Sequence, residues 1–266
     1  MLVCLDAGHC LSTPGKRCLK SIDPGETREW ALNSRVADKL QPLLEALGCR
    51  VMRADDPTGQ ADVTLAKRVH AANAAGADLY LSIHHNAGIH GGAGGGIVVY
   101  TAPGSSQRSK EVQRAVYEAT VAATGLRGNR ASPTPEAPLY VLRHTAMPAV
   151  LGEFGFMDST TDTPIILTEE FAAQTAQGIA AAVRSVYGLS PAEDQEYGRW
   201  LAHMDRYLEE RAQLPASGWA GPYIQRVVGA GIMAEDGAGS IARPRDFVTR
   251  EGLATVAVAV MEAVKK

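Results

Sequence analysis

The chain has 266 residues, 45% of them hydrophobic, which suits one large domain with its own core or one domain with a small appendage. Its net charge is −3 and no Lys- or Arg-rich run occurs, which argues against nucleic acid as a partner. No apolar stretch reaches the roughly 18 residues that a membrane span requires, so we expect no membrane insertion.

Short apolar segments alternate with amphipathic segments over the first 188 residues. This alternation is typical of an α/β fold, and it predicts a mostly parallel, twisted sheet of about six strands with helices on both faces. Gly48 suits a helix C-cap and Thr168 suits an N-cap. The predicted strands are 2–6, 49–53, 79–83, 96–101, 139–142 and 149–154, and the predicted helices are 28–47, 65–75, 107–124 and 169–187.

The pattern changes after residue 188. Residues 189–217 contain "LSPAEDQ", which is typical of a linker, and then a polar, helix-prone segment. Residues 218–266 predict a helix, a Gly-rich turn and a second helix, which together form a small helical C-terminal domain. Such a short piece needs a partner surface, or its own helices, to bury its apolar positions.

Residues able to do chemistry fall at the ends of the predicted strands and at the start of the first helix. In open α/β sheets, sites form beyond the carboxyl ends of the strands, so these residues are expected to converge. Glu26 and Glu29 both lie in "GETREWALN", near the start of the first helix, and either could contribute its carboxylate to the site. The candidates are His9, His84, His85, Glu26, Glu29 and Glu153.

A set of two histidines and one glutamate is a known ligand set for catalytic zinc, and a further carboxylate would serve as general base. Glu153 lies in the apolar run "AVLGEFGF", where a carboxylate must be paired, bound to metal or placed in a cleft. Each residue alone has an ordinary structural explanation. Together they predict a Zn²⁺ hydrolase of unspecified substrate.

Four segments, "LDAGHC", the Glu and Asn of the first helix, "AKRVHAANAAGADLYLSIHHNAG" and "MPAVLGEFGFMDSTTD", resemble the zinc-dependent N-acetylmuramoyl-L-alanine amidases. The resemblance covers about residues 1–188. It implies a peptidoglycan hydrolase that cleaves the amide between N-acetylmuramic acid and the L-alanine of the stem peptide. It also implies that His9, Glu29 and His84 bind Zn²⁺ and that Glu153 is the catalytic base.

His85 replaces a small residue that is common at this place in the family, and we expect it to line the cleft and bind substrate. We expect Asn86 to bind and orient the substrate or to support a metal ligand. Arg68 and Asn73 match the "R…AN" helix of the family, and we expect an internal ion pair and a cap from them. Cys10 replaces a glycine that is common in the family, which leaves open whether Cys10 or Cys18 contacts the metal. No CxxC spacing supports ligation, so we expect reduced thiols that do not bind it.

The segment from "PYIQRVV" to "GLATV" resembles a single surface-layer-homology repeat, a module that binds cell-wall polymers. Because such modules usually occur in threes, two roles stay open for the C-terminal domain. One is binding to the cell wall, and the other is formation of a homodimer.

The N-terminus reads directly as a strand, without the basic and hydrophobic regions of a secretion signal. We therefore expect a protein made in the cytoplasm that reaches the bacterial cell wall after holin-type release, as a phage or prophage lysin does. The alternatives are a bacterial autolysin, a zinc peptidase acting on cell-wall peptides and a non-catalytic wall-binding protein.

Overall fold

The computed structural model describes residues 1–190. The predicted linker and helix, apart from residues 189 and 190, and the predicted C-terminal domain at 218–266 lie outside these residues and stay predictions. No helix within residues 1–190 combines the length and apolar character needed to cross a membrane.

The described residues form one five-stranded sheet in the order β2-β1-β3-β5-β4. β1 runs parallel to β2 and β3, β3 runs parallel to β5, and β4 is antiparallel to β5 at the edge. The predicted mostly parallel sheet is therefore confirmed, with five strands in place of six. The strands are β1 (Leu2–Ala7), β2 (Arg50–Arg53), β3 (Leu79–Asn86), β4 (Ile97–Tyr100) and β5 (Ala149–Phe156).

Local sequence signals set the ends of α2, α3 and α6, whose ranges are given below. The hydroxyls of Thr64, Ser106 and Thr168 accept N-cap hydrogen bonds, and Gly125 and Gly188 end helices in the left-handed conformation. The helices are α1 (Glu29–Ala46), α2 (Leu65–Ala74), α3 (Gln107–Thr124), α4 (Tyr140–His144), α5 (Thr163–Ile166) and α6 (Glu169–Tyr187).

The prediction of a strand at 139–142 is wrong, because this segment forms the short helix α4. A run of four apolar residues has the same appearance in a buried strand and in one turn of helix, so periodicity does not separate them. Val141 and Leu142 are buried side by side against one face of the sheet. Only the helical path brings both consecutive side chains onto that face, since a strand would point them in opposite directions.

Helices cover both faces of the sheet, as predicted. Alternate residues of β1 enter two different cores: Val3 and Leu5 pack with α1, α3 and α6, while Leu2 and Cys4 pack with α2 and α4. This arrangement leaves the carboxyl ends of β1, β3 and β5 side by side. The candidate site lies at that edge.

Candidate metal centre

His9 lies two residues beyond the end of β1, on a tightly constrained backbone. Its φ is 67°, a left-handed conformation that costs energy for a residue with a side chain. Arg68 Nη2 donates a hydrogen bond of 2.8 Å to the His9 carbonyl and holds this turn in place. The position of the His9 imidazole thus depends on a strained turn, which the buried Arg68 stabilises.

Glu29 is the first residue of α1, and its carboxylate contacts both histidines. Glu29 Oε1 lies 2.9 Å from His84 Nδ1, and Oε2 lies 3.3 Å from His9 Nε2. The Glu29 side chain is 1% exposed. Burial alone would raise the pKa of Glu29, but the contacts with His84 and His9 outweigh it and hold this pKa well below its usual range.

His84 lies within β3, which extends through Asn86 and is longer than predicted. Its partner in the neighbouring strand β5 is Glu153. A Cβ atom added to Gly8 would lie 2.0 Å from Cε1 of the His84 ring, so a larger residue at this position would displace that ring. The absence of a side chain at Gly8 thus makes room for His84 at the site.

The donor atoms of His9, Glu29 and His84 fit a divalent metal. One such atom from each residue lies within 4.8 Å of the other two. Glu29 Oε2 is buried and makes no hydrogen bond within the described residues, as expected for a carboxylate oxygen that is available to bind a cation. Two imidazole nitrogens and one carboxylate are a ligand set typical of catalytic zinc.

Glu153 stands beside this group, in β5. Its Oε2 atom is buried and has no hydrogen-bond partner among residues 1–190. Burial raises the pKa of Glu153 to about 7, and the nearby carboxylate of Glu29 acts in the same direction, while His84 and Lys16 oppose it. A carboxylate with a pKa near neutral is suited to accept and return a proton.

His85 and Asn86 have different environments. His85 is buried, and its Nδ1 donates to Asn33 Oδ1 at 2.8 Å, while Asn33 Nδ2 donates to the Gly8 carbonyl at 3.0 Å. Burial lowers the pKa of His85 to about 3, so this ring is neutral. His85 thus ties β3 to α1, and Asn33 ties α1 to the turn after β1, whereas Asn86 is only partly buried at the end of β3.

Other candidates lie outside the group. The Glu26 carboxylate pairs with Arg17 and Lys20 on the surface. All four cysteines are free and buried, as expected for reduced thiols. The Cys10 sulfur lies 3.2 Å from the hydroxyls of Ser12 and Thr13, and neither Cys10 nor Cys18 joins the metal-ligating group within the described residues.

The expectation for Arg68 and Asn73 is confirmed. Arg68 forms a buried ion pair with Asp6. Asn73 caps the end of α4, where its side chain donates to the His144 carbonyl and accepts from the Ala146 amide. Lys16 is a site residue that the sequence did not reveal, with its Nζ 3.7 Å from Glu29 Oε2. In the sequence, Lys16 is only one lysine in the long first loop. Lysines in loops are common on protein surfaces, so its position did not indicate a role in the site.

Two cavities adjoin the group. The first, about 630 Å³, has largely apolar walls, among them Leu65, Tyr140 and Val141, and includes His9 and His84; we call it the apolar cavity. The second, about 300 Å³, is the polar cavity. It is lined by Pro14, Gly15, Lys16, His85, Asn86, Ala87, Glu153 and Met157.

Comparison with known proteins identifies relatives over the same region. The sequence profile of a family described as N-acetylmuramoyl-L-alanine amidase matches residues 3–185. The amidase CwlM of Bacillus licheniformis is 36% identical over 188 residues, which are 70% of this chain and 68% of CwlM. The endolysin of Bacillus phage SPP1 is 30% identical over 190 residues, which are 71% of this chain and 66% of the endolysin.

Solved structures agree in fold. An N-acetylmuramoyl-L-alanine amidase from Clostridium difficile 630 superposes with a TM-score of 0.63 at 28% identity, covering 70% of this chain and 96% of that one. The catalytic domain of CwlV from Bacillus (Paenibacillus) polymyxa gives 0.62 at 25% identity, covering 71% of this chain and 99% of that one. The similarity thus extends over the α/β part of the chain.

Proposed function

The chain belongs to the N-acetylmuramoyl-L-alanine amidase family, and from this premise we propose that it is a zinc-dependent peptidoglycan hydrolase of the bacterial cell wall. The bond it cleaves is the amide between N-acetylmuramic acid and the L-alanine of the stem peptide. The observation that carries the zinc assignment is the convergence of His9, Glu29 and His84, with the buried Glu29 Oε2 lacking a hydrogen bond.

In this proposal, His9, Glu29 and His84 hold the zinc ion and Glu153 carries out proton transfer. When bound, zinc supplies Lewis acidity that polarises the amide carbonyl and makes water a stronger acid. Glu153 accepts the proton of the attacking water and returns it to the leaving nitrogen. Burial raises the pKa of Glu153 to about 7, so the same carboxyl is a usable base and a usable acid near neutral pH.

The remaining residues of the site orient this group. Arg68 and Asn33 bind the carbonyls of His9 and Gly8, so the turn that carries the first ligand is held from two directions. Asn86 lines the polar cavity next to Glu153 and is proposed to contact substrate there. His85 also lines this cavity, and its bond to Asn33 gives it a supporting role.

Mass analysis of digested cell walls tests this function. An amidase releases intact stem peptides with a new alanine N-terminus, a peptidase shortens the stems, and a wall-binding protein releases neither. The relationship to the phage SPP1 endolysin leads us to propose a role as a phage or prophage lysin. Lysis of bacteria on induction of the phage, lost on deletion of the gene, is the result expected for that role.

Two variants test the residue roles in the same assay. His84→Ala should lose most of its zinc in metal analysis, whereas Glu153→Gln should keep its zinc and lose wall hydrolysis by about 10²- to 10⁴-fold. His70→Ala and Glu118→Gln are matched controls, because both side chains are exposed. Full zinc occupancy in His84→Ala, or an active or metal-free Glu153→Gln, would contradict these assignments.

A further inference from the structure

The apolar and polar cavities have no lining residue in common, and they divide the proposed catalytic groups between them. His9 and His84 line the apolar cavity, while Glu153 lines the polar cavity. The scissile amide joins a sugar-bearing acyl half to a peptide-bearing amine half. When the amide lies at the proposed metal site, each half of the substrate can therefore extend into a cavity of its own.

Proton transfer determines which half enters which cavity. Glu153 returns its proton to the leaving nitrogen, so that nitrogen must come within hydrogen-bond reach of the Glu153 carboxyl. The nitrogen belongs to the peptide half, which therefore extends into the polar cavity. The muramyl half is left on the other side, where the half-exposed ring of Tyr140 offers an apolar face to a sugar.

Lys16 supplies the positive charge in the polar cavity. It is the one lysine or arginine among the described residues that line this cavity, and its side chain is 45% exposed. Its Nζ lies 3.7 Å from Glu29 Oε2, which is too long for a hydrogen bond. Glu29 already contacts two histidines, so the ammonium has donors to offer to a ligand in the cavity.

We propose that Lys16 binds a free carboxylate on the peptide half of the substrate and makes the protein selective for stems that carry one. The inference rests on the proposed function, because it assigns the substrate halves from the role of Glu153. A ligand carboxylate in the polar cavity would lie near the carboxylate of Glu153, which repels it when ionised. Lys16 offsets that repulsion and adds a charge-assisted hydrogen bond.

The test compares two soluble N-acetylmuramyl tripeptides, both amidated at the C-terminus, that differ only in whether the second stem residue has a free carboxylate or a carboxamide. The wild-type protein should cleave the carboxylate form with a kcat/KM about 10- to 100-fold higher. Lys16→Met should abolish this preference, mainly by raising KM for the carboxylate form. Lys16→Arg should keep much of it, since the charge is retained.

Lys20→Met is the matched control, because Lys20 lies on the same loop, is 76% exposed and contacts Glu26 rather than the cavity. It should behave as the wild type does. Calorimetric binding of both peptides to Glu153→Gln, with and without Lys16→Met, repeats the comparison without turnover. There, the loss of Lys16 should weaken binding of the carboxylate form alone.

The outcomes separate the inference from the function. If the wild type cleaves both peptides with equal kcat/KM, the role of Lys16 is wrong and the amidase function stands. If Lys16→Met slows both peptides equally, Lys16 acts on the catalytic group and not on the ligand carboxylate, which also overturns the inference. If the wild type cleaves neither peptide and releases no stems from walls, the function fails, and the inference fails with it.

Discussion

At the scale of single residues, Arg68 is a large side chain that the described fold buries almost completely, at 2% exposure. It forms an ion pair with Asp6 and donates to the carbonyls of Val63, Ala7 and His9. Asp6 in turn accepts hydrogen bonds from Tyr80 and Ser82. Every charge in this network has partners, which is the condition for a buried ion pair to be tolerated.

Arg68→Met should lower the free energy of unfolding by about 3–5 kcal/mol, because the Asp6 carboxylate would remain buried without its counter-ion. The measurement is urea unfolding followed by circular dichroism. Arg17→Met is the matched control, since Arg17 pairs with Glu26 at the surface, and its effect should stay below about 1 kcal/mol. Equal effects of the two substitutions would show that the buried pair does not stabilise the fold.

Residue-scale reasoning also explains which site predictions required more than sequence. His84 and His85 are consecutive in a strand, so their side chains point to opposite faces. The alternation predicts that one of the two side chains faces each side of the sheet, but it does not show which side has the proposed metal site. The answer depends on where Glu29 and His9 lie, and both are distant in sequence.

At the scale of elements, α3 and α6 pack closely because Gly178 lies where they meet. A Cβ atom at Gly178 would approach the backbone of Thr120 and Ala119 in α3 to within 2.7–2.9 Å. Backbone atoms do not move aside cheaply, so the two helices would have to separate. This contact explains a glycine in the middle of a helix, where it is otherwise unfavourable.

Gly178→Ala therefore tests whether helix propensity or packing decides stability at this position. Propensity alone would stabilise the helix by about 1 kcal/mol, but the close contact should reverse the sign and lower the melting temperature. We expect a net loss of about 1–3 kcal/mol in thermal or urea unfolding. Gln177→Ala, exposed on the same helix, should be nearly neutral. A stabilised Gly178→Ala would contradict the packing explanation.

At the scale of the whole molecule, the family match ends at residue 185 and α6 ends at Tyr187. The α/β part therefore has its own sheet, both layers of helices and all the proposed site residues. Leu189 packs on the core next to the end of α6, so a boundary just after it is compatible with the fold. The role of residues 191–266 stays a prediction of cell-wall binding or dimerisation.

A chain that ends at residue 190 should fold, bind zinc and cleave soluble muramyl peptides at nearly the rate of the full chain. It should bind intact walls more weakly, or change from dimer to monomer in sedimentation. Wall-binding assays and analytical ultracentrifugation on both chains make the comparison. An insoluble or inactive short chain would place the remaining residues in the catalytic unit, and an unchanged affinity and size would exclude both proposed roles for them.

The sequence alone determined the α/β class, the bounds of the long helices to within about two residues and the set of residue types at the strand ends. These features follow from periodicity and from capping residues, which are local and act over a few positions. Thr168 at the start of α6 and Gly48 after α1 are examples, and both predictions are confirmed.

Only the tertiary structure decided the helical state of 139–142, the contact between Glu29 and both histidines, and the position of Lys16 beside Glu153. The physical reason is the same in each case. A short apolar segment takes the conformation that its packing neighbours allow. The position of a loop side chain depends on the tertiary course of the loop, which local conformational propensity does not determine. The distances that define the site join residues 9, 16, 29, 84 and 153, which lie on loops, a helix and two strands, and only the folded chain brings them together.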